Sequence, residues 1–535
     1  MSPLRDHAPD VRVEPRPLPE LVAPLRAAGL LAAEPAGAAG VEVRDVTIDS
    51  RRAGPGALFG AVAPDTLDGR DGHDFVDDAL ARGAAAALVS GEWLAARAGA
   101  APSAPAPLGK GERLPGAVLV PTTDTRAALA EVAAAFYGRP ADGLRLVGVT
   151  GTNGKTTTAF LLHHLLTALG QTAGLVGTVE TRVGGERYAT QFTTPEAPDL
   201  QRLLRAMADA GCTHAAMEVS SHGLALDRVR TLAFEVAVFT NLTHDHLDFH
   251  QTAGAYEAAK KRLFDDLAEG ATAVVNADDP AHRRMVADSA ARVVTFGTDA
   301  GADVRVEVLQ NALSGLRLRL DGHERAFRMA GLFNALNLAA AYAAGRALGF
   351  GASETLDALA EAPGVPGRFE ALRSPRGVLA VVDYAHTPDA LANVLQTARP
   401  LVAEGGRLWV VTGSGGDRDR TKRPEMARVA ETLADRVVVT QDNPRTEDPD
   451  RIVADIRAGF RRPDETETIQ DRAEAIRHAV SEAAPGDVVV VAGKGHETYQ
   501  DIGGEKRPFD DRAVLRDAFR DQGPVGAEPA GGGAR

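Results

Sequence analysis

The chain runs to 535 residues, too long for one hydrophobic core, so about three domains are expected. Its 44% hydrophobic and 25% charged content is that of a soluble globular protein, and a formal net charge of −14 argues against non-specific nucleic-acid binding. Cys212 is the only cysteine, so no internal disulfide can form and a reducing compartment fits. Charged residues or glycine break every apolar run before membrane-spanning length, and the Pro-rich N-terminus has no signal-peptide core. A cytoplasmic protein is expected, without membrane insertion or a nucleic-acid partner.

Segments 1–16, 98–115 and 522–535 are too poor in bulky apolar residues to pack, and are expected to be disordered tails and a surface insertion. Three blocks lie between them. The first, 17–142, has short strands at VEVRDVTID and GALFGAV and a helix around 74–83. The second, 143–366, alternates strands LRLVGVT, THAAMEV, EVAVFTN, TAVVN and RVVTF with helices, and adds a hairpin turning on Gly184-Gly185. The third, 367–521, alternates VLAVVDY, RLWVVTG, RVVVT and DVVVVAG with helices. Apolar strands alternating with helices predict an α/β protein with mostly parallel sheets covered on both faces.

Strand LRLVGVT runs into Gly151-Thr152-Asn153-Gly154-Lys155-Thr156-Thr157, then into a helix with Leu162, Leu165, Leu166 and Leu169 on one stripe. Strand, glycine loop and helix start aim backbone N–H groups and a helix dipole at phosphates. Lys155 is expected to reach the terminal phosphates of ATP, and Thr156 to bind Mg²⁺. Val149 stands where the first glycine of such a loop is usual, with Gly148 one residue earlier.

Two further strand ends carry ligand-type side chains: Glu218 to His222 after THAAMEV, and His244, Asp245, His246 and Asp248 after EVAVFTN. Beside a nucleotide loop this suggests Mg²⁺; three histidines in seven residues (His244, His246, His250) also suit zinc, but the oxygen ligands favour Mg²⁺. Lys260, in the helix AYEAAKKRLFDDL, has no physical distinction, since a helix lysine is ordinarily solvated. Asp442-Asn443-Pro444-Arg445 reads either as a plain turn or as a two-headed reader, Arg445 for a carboxylate and Asp442 for an ammonium.

The motifs GVTGTNGKTTT, TTPEAP, MEVSSHGL, TNLTHDHLDFH, YEAAKK, VNADDP, GLFNALN, PGRFE, DYAHTPDAL, GSGGDRDRTKRP, DNPR and GKGHE occur in the order found in the Mur ligase family. The resemblance covers about residues 45 to 500, and is strongest to members that add a diamino acid to UDP-N-acetylmuramoyl-L-alanyl-D-glutamate. It implies three domains: a small N-terminal α/β domain for the UDP moiety, a central P-loop ATPase domain with a mostly parallel sheet, and a C-terminal Rossmann-like domain for the amino acid. It implies a monomeric, ATP- and Mg²⁺-dependent ligase that forms an amide at the D-glutamyl carboxylate of UDP-MurNAc-L-Ala-D-Glu through an acyl phosphate.

Residue by residue, the resemblance implies that Ser50, Asp71 and His73 face the uridine diphosphate, while Thr193, Thr194, Ser220 and Arg228 hold the muramoyl-dipeptide. Glu218 and His246 would ligate Mg²⁺, with Lys260 carbamylated to support a second ion. Asn276, Asn334 and Arg368 would contact the nucleotide. Asp383 and His386 would complete that site from the third domain, and His222 would join Lys155, Lys260 and Asp383 in catalysis. Arg418, Asp442, Asn443, Pro444, Arg445, Gly493 and Glu497 would hold meso-diaminopimelate. An arginine facing lysine's plain ammonium would be a liability, and a polar site of this kind discriminates by ~10⁴ or more. Gly60, where a larger apolar residue is common, and the 98–115 insertion depart from the family pattern. Rivals are the sister ligase adding D-Ala-D-Ala, folylpolyglutamate synthase, a P-loop hydrolase, and a scaffold that has lost chemistry; Lys155, Glu218, His246 and Lys260 all being present disfavours the last.

Overall fold

The computed structural model describes residues 4–5, 8–64, 69–99 and 117–521. Three sheets organise it, one per domain, and each is built around an apolar parallel array with helices against its faces. In the first, Asp45–Thr47, Ala57–Gly60, Ala86–Ser90 and Val118–Thr122 pair in parallel in that order. Alternation decides its two faces: Leu58, Leu88 and Val120 pack with helices Leu18–Ala27 and Thr125–Phe136, whereas Phe59, Ala87 and Val89 pack with the other cluster. The helix predicted around 74–83 is a 3₁₀ turn, Gly72–Phe75, followed by Val76–Ala81. At Gly60 a Cβ would come within 2.8 Å of Leu129 Cδ1, which gives the departure from a larger residue a packing reason.

The central sheet has twelve strands, with a parallel middle in the order Ala173–Val176, His214–Glu218, Arg145–Thr150, Phe234–Phe239, Thr272–Asn276, Arg292–Gly297. Val147 and Val149 face helices Lys155–Ala168 and Leu332–Ala347, and Leu146 faces the opposite layer. The predicted hairpin is present as Thr181–Val183 and Glu186–Tyr188. In the C-terminal domain the order is Glu370–Arg373, Leu379–Asp383, Val488–Ala492, Leu408–Thr412, Arg436–Val439, Glu467–Thr468, parallel except at the first pair. Among the described residues no helix is long and apolar enough to cross a membrane.

One expectation is corrected. Residues 1–16 do not behave as a disordered tail where they are described: Leu4–Arg5 pairs in parallel with Arg187–Tyr188, and Val11 and Val13 are partly buried against the central and N-terminal cores. Two valines and an open hairpin edge supply the burial and backbone pairing that composition alone did not suggest. Of the other two segments, 100–115 and 522–535 lie outside the described residues.

Candidate active site

Strand Arg145–Thr150 lies mid-sheet, with the next strands in sequence placed on both sides of it, so the loop 151–154 emerges at a topological switch point. Gly151 has φ +146°, and a Cβ there would run into Thr240 Oγ1; Gly154 has φ +87°, and a Cβ would lie 2.5 Å from Asn337 Oδ1. Only glycine fits such a close, left-handed path. Lys155 Nζ folds back onto the carbonyl oxygens of Gly151 (2.9 Å) and Thr152 (2.7 Å). Burial holds its amine below the usual lysine range, with Arg368 adding to the effect while Glu218 and Asp245 oppose it. Thr156 Oγ1 donates to Glu218 Oε2 at 2.9 Å and accepts from Arg368 Nη2 at 3.0 Å. Glu218 also accepts from Thr178 N (2.7 Å) and Thr178 Oγ1 (3.1 Å), and is fully buried.

Lys260 overturns the expectation of a solvated helix lysine. It is 1% exposed, its Nζ donates to Gly151 O at 2.7 Å, and it stands 4.3 Å from the Tyr256 ring centroid. Burial, helped by the nearby Lys155, depresses its amine well below the ordinary range. The cause is tertiary: helix Ala253–Asp265 turns Tyr256, Lys260 and Phe264 inward, and Tyr256 OH meets Thr152 Oγ1 at 3.1 Å. His246 and His250 pack against the same tyrosine, and His222 packs against both, its ring 4.7 Å from that of His246. Burial drives His222 and His250 down to about 4 and holds His246 well below the ordinary imidazole range, with Asp245 opposing the last of these. Burial pushes Asp245 up, but His246, His386, Lys422 and Lys155 outweigh it and hold its carboxyl below the usual range. Among the described residues no three His, Cys, Asp or Glu side chains converge as a ready-made metal cluster.

The third domain closes over this loop. Besides Arg368, Asp389 Oδ2 accepts from Asn153 Nδ2 at 2.8 Å, and Lys422 Nζ lies 4.0 Å from Asp245 Oδ1. Asp383 is buried, with Oδ1 accepting from Ala385 N (2.8 Å) and Oδ2 from Phe369 N (2.7 Å); burial raises it to about 6 despite Arg368 nearby. His386 Nδ1 donates to Tyr384 O at 2.8 Å, and burial with Lys422 lowers the ring to about 4. Asn276 Nδ2 donates to Thr240 O, tying it to the loop's flank, while Asn334 Oδ1 accepts from Asn337 Nδ2.

Thr194 links two of the expected clusters: its Oγ1 donates to Glu218 O (2.9 Å) and accepts from Ser220 N (3.0 Å). Thr193 Oγ1 meets Thr178 Oγ1 at 2.9 Å, and Arg228 Nη1 donates to Thr194 O at 3.0 Å. Arg228 also pairs with Glu196 at 2.5 Å, and Glu196 reaches Arg126 of the N-terminal domain at 3.4 Å. Asp71 and His73 form a separate unit. Ser90 N donates to His73 Nε2 at 2.9 Å, so the ring proton sits on Nδ1 and is donated to Asp71 Oδ1 at 2.6 Å. Ser50 lies half-buried on the turn that Asp49 and Arg51 brace.

The turn after strand Arg436–Val439 carries the last group. Asp442, Asn443 and Pro444 are buried and Arg445 half-buried, with Arg445 in a left-handed conformation at φ +53°. Arg445 Nη1 donates to Gly416 O at 2.7 Å, and Arg418 Nη1 to Asp417 O at 3.0 Å; neither guanidinium has a carboxylate partner among the described residues. Burial, and next the Arg445 charge, lower Arg418 from the usual arginine value against Asp248 and Asp417, and both side chains pass Gly415, where a Cβ would lie 2.8 Å from Arg445 Nη1 and 3.9 Å from Arg418 Cγ. Asn443 Nδ2 donates to Glu497 Oε2 at 2.8 Å, and a Cβ on Gly493 (φ +116°) would collide with Asp442 Oδ2.

Three family models match in sequence: "Mur ligase family, catalytic domain" over residues 42–137, "Mur ligase middle domain" over 149–345 and "Mur ligase, glutamate ligase domain" over 367–495. A relative from Bacteroides fragilis named UDP-N-acetylmuramoyl-L-alanyl-D-glutamate--2,6-diaminopimelate ligase is 42% identical over 481 residues, covering 90% of this chain and 95% of its own. The chain belongs to the Mur ligase family. A relative of the same name from Thermosynechococcus vestitus is 45% identical over 491 residues, covering 90% of this chain and 94% of the relative. A solved structure under that name is 34% identical, with TM-score 0.59, and covers 90% of this chain and 96% of that one. The Thermotoga maritima MurF ligase in complex with ADP, at 19% identity and TM-score 0.61, shares the fold.

In this Mur ligase several contacts around the site escaped sequence reasoning. Thr178 carries no sequence signal. Glu196, Lys422 and Lys494 stand inside quoted motifs, where their neighbours drew the attention. Asp389 lies 236 residues from the asparagine it holds, so only the fold shows the pair.

Proposed function

We propose that this protein is an ATP-dependent ligase forming an amide between the D-glutamyl carboxylate of UDP-N-acetylmuramoyl-L-alanyl-D-glutamate and an amino group of meso-2,6-diaminopimelate, in cytoplasmic peptidoglycan precursor synthesis. The observation that carries the reading is the pair Arg445 and Arg418: two guanidinium groups that, among the described residues, make no hydrogen bond or ion pair with a carboxylate, on loops where strands of the third domain end, with Asp442 in the same turn and Glu497 held to that turn by Asn443. That arrangement suits an acceptor bearing a carboxylate and an ammonium on its far end. The names of relatives 40–45% identical over about nine-tenths of the chain support the same substrate.

The reaction needs activation because a carboxylate is a poor electrophile. The γ-phosphoryl group of ATP passes to the D-glutamyl carboxylate, the acceptor amine attacks the acyl phosphate, and inorganic phosphate leaves. Lys155 and Arg368 would offset charge on the transferring group. Hydroxyl and carboxylate of Thr156 and Glu218 suit a hard divalent cation, with His246 as the further expected ligand, and Mg²⁺ held there would neutralise phosphate charge. Lys260, a buried amine that donates to Gly151 O and, among the described residues, forms no ion pair, would contribute a further oxygen ligand as its carbamate. Thr193, Thr194, Ser220 and Arg228 orient the dipeptide, Ser50, Asp71 and His73 the uridine diphosphate, and Asn276, Asn334 and His386 the nucleotide. His222 and Asp383 complete the catalytic group. Domains bounded at 17–142, 143–366 and 367–521 in a monomer would bring these groups together, and the contacts Arg368–Thr156 and Asp389–Asn153 hold the third domain against the loop, a closure that would keep water from the acyl phosphate. The test is phosphate release from ATP with the UDP-dipeptide present, adding meso-diaminopimelate or L-lysine in parallel. Release with diaminopimelate alone supports both ligase and acceptor; equal release with lysine refutes the acceptor, and release with neither refutes the ligase.

A further inference from the structure

Resting on the acceptor reading above, we infer that Lys494 is a positioning residue that orients Glu497 and Asn443 for the incoming amino acid. Lys494 is 0% exposed, in the loop that follows strand Val488–Ala492. An ammonium is strongly hydrated, and placing it fully inside the protein is tolerated only where its donors are met. Its Nζ donates to Asn443 Oδ1 at 2.9 Å and to Glu497 Oε2 at 2.8 Å, and Asn443 Nδ2 donates to that same Oε2 at 2.8 Å. The three side chains form a closed ring of hydrogen bonds.

The ring has two consequences. Asn443 Oδ1 receives both the ammonium and Asp501 N at 3.0 Å, so its amide cannot flip and Nδ2 must face Glu497. Glu497 Oε2 takes two donors, one of them charged, while Oε1 has no hydrogen bond among the described residues. Lys494 thereby commits one oxygen of Glu497 to the protein and leaves the other for an ammonium. Glycines at 493 and 495 hold the lysine in place: a Cβ on Gly493 would strike Asp442 Oδ2, and one on Gly495 would come within 2.6 Å of Gly367 O. The loop is packed closely on both sides, and Lys494 itself is wholly buried. It touches neither of the arginines assigned to the acceptor's carboxylates and acts through its two neighbours.

The experiment compares the full-length wild type with Lys494→Met, Glu497→Gln and the double variant, varying meso-diaminopimelate, ATP and UDP-dipeptide in turn. Wild type without product in the presence of diaminopimelate refutes the acceptor reading and leaves Lys494 aside. With wild type active, Lys494→Met is expected to raise KM for diaminopimelate at least about tenfold, with kcat and both other KM values within about threefold. In the Glu497→Gln background the same change is expected to cost under about threefold, because the lysine's main partner is already neutral. Equal rises in all three KM values, or no rise, overturn the assignment. Should Lys494→Met fail to fold, the uncharged double variant decides: a further tenfold loss beyond Glu497→Gln refutes action through Glu497.

Discussion

Replacing Arg445 by alanine separates acceptor recognition from everything else the site does. Its guanidinium makes one hydrogen bond within the protein, Nη1 to Gly416 O at 2.7 Å, and has no carboxylate partner among the described residues, so truncation strands no buried charge. The expected loss of fold stability is therefore about one ordinary hydrogen bond, ~1 kcal/mol. The φ of +53° stays unfavourable for alanine as it is for arginine, whereas Arg445→Gly relieves it and should be ~1 kcal/mol more stable than the alanine variant. The loss at the acceptor is larger. A forked pair to a carboxylate is two charge-assisted hydrogen bonds, together ~3–5 kcal/mol, or roughly two to three and a half orders of magnitude in kcat/KM for diaminopimelate. The assay is phosphate release against diaminopimelate concentration, with ATP affinity measured calorimetrically on the same preparation. ATP affinity should hold, since Arg445 contacts the loops at 416 and 501–503 and none of residues 151–157. A kcat/KM within about threefold of wild type, or a parallel collapse of ATP binding, would refute the placement of Arg445.

Gly151→Ala should abolish ATP binding and lower stability by ~1–3 kcal/mol, seen by nucleotide titration and thermal melting, because its Cβ collides with Thr240 Oγ1 at a φ of +146°. Arg472 and Asp511 form a fully buried forked pair at 2.8 Å; Arg472→Met alone should cost ~3–5 kcal/mol in chemical denaturation, and Arg472→Met with Asp511→Leu should recover most of it. Asp383, raised by burial from 3.8 to about 6, binds a proton more tightly folded than unfolded. Its contribution to stability is fully present below pH 3.8 and lost as pH rises through about 6, ~3 kcal/mol in all. Asp383→Asn should flatten the wild-type decline in unfolding free energy between pH 4 and 7; an unchanged slope would rule this out.

What the sequence made legible was whatever one short stretch contains. The phosphate loop is contiguous, its glycines and lysine within five residues, and the strand and helix that aim it adjoin it; pattern and spacing therefore sufficed. The turn at 442–445 offered its residue types in the same way, but its decisive property, that two guanidinium groups lack carboxylate partners among the described residues, exists only once residues 416–418 have been folded against it. Lys260 marks the limit most clearly. On a helix its spacing is unremarkable, and only the packing of Ala253–Asp265 beneath the loop turns it from a solvated cation into a buried amine 2.7 Å from Gly151 O. Arg368 and Thr156 stand 212 residues apart and share one hydrogen bond, so no local periodicity could pair them. The same holds for the N-terminal segment, where two valines and a free hairpin edge outweighed a disordered-looking composition. Contiguous chemistry is written in the chain; burial, which sets the charge state of that chemistry, is written in the fold. A lysine at 260 and one at 494 look alike in sequence, yet in the fold Lys260 donates to a backbone carbonyl, Gly151 O, whereas Lys494 donates to the carboxylate of Glu497.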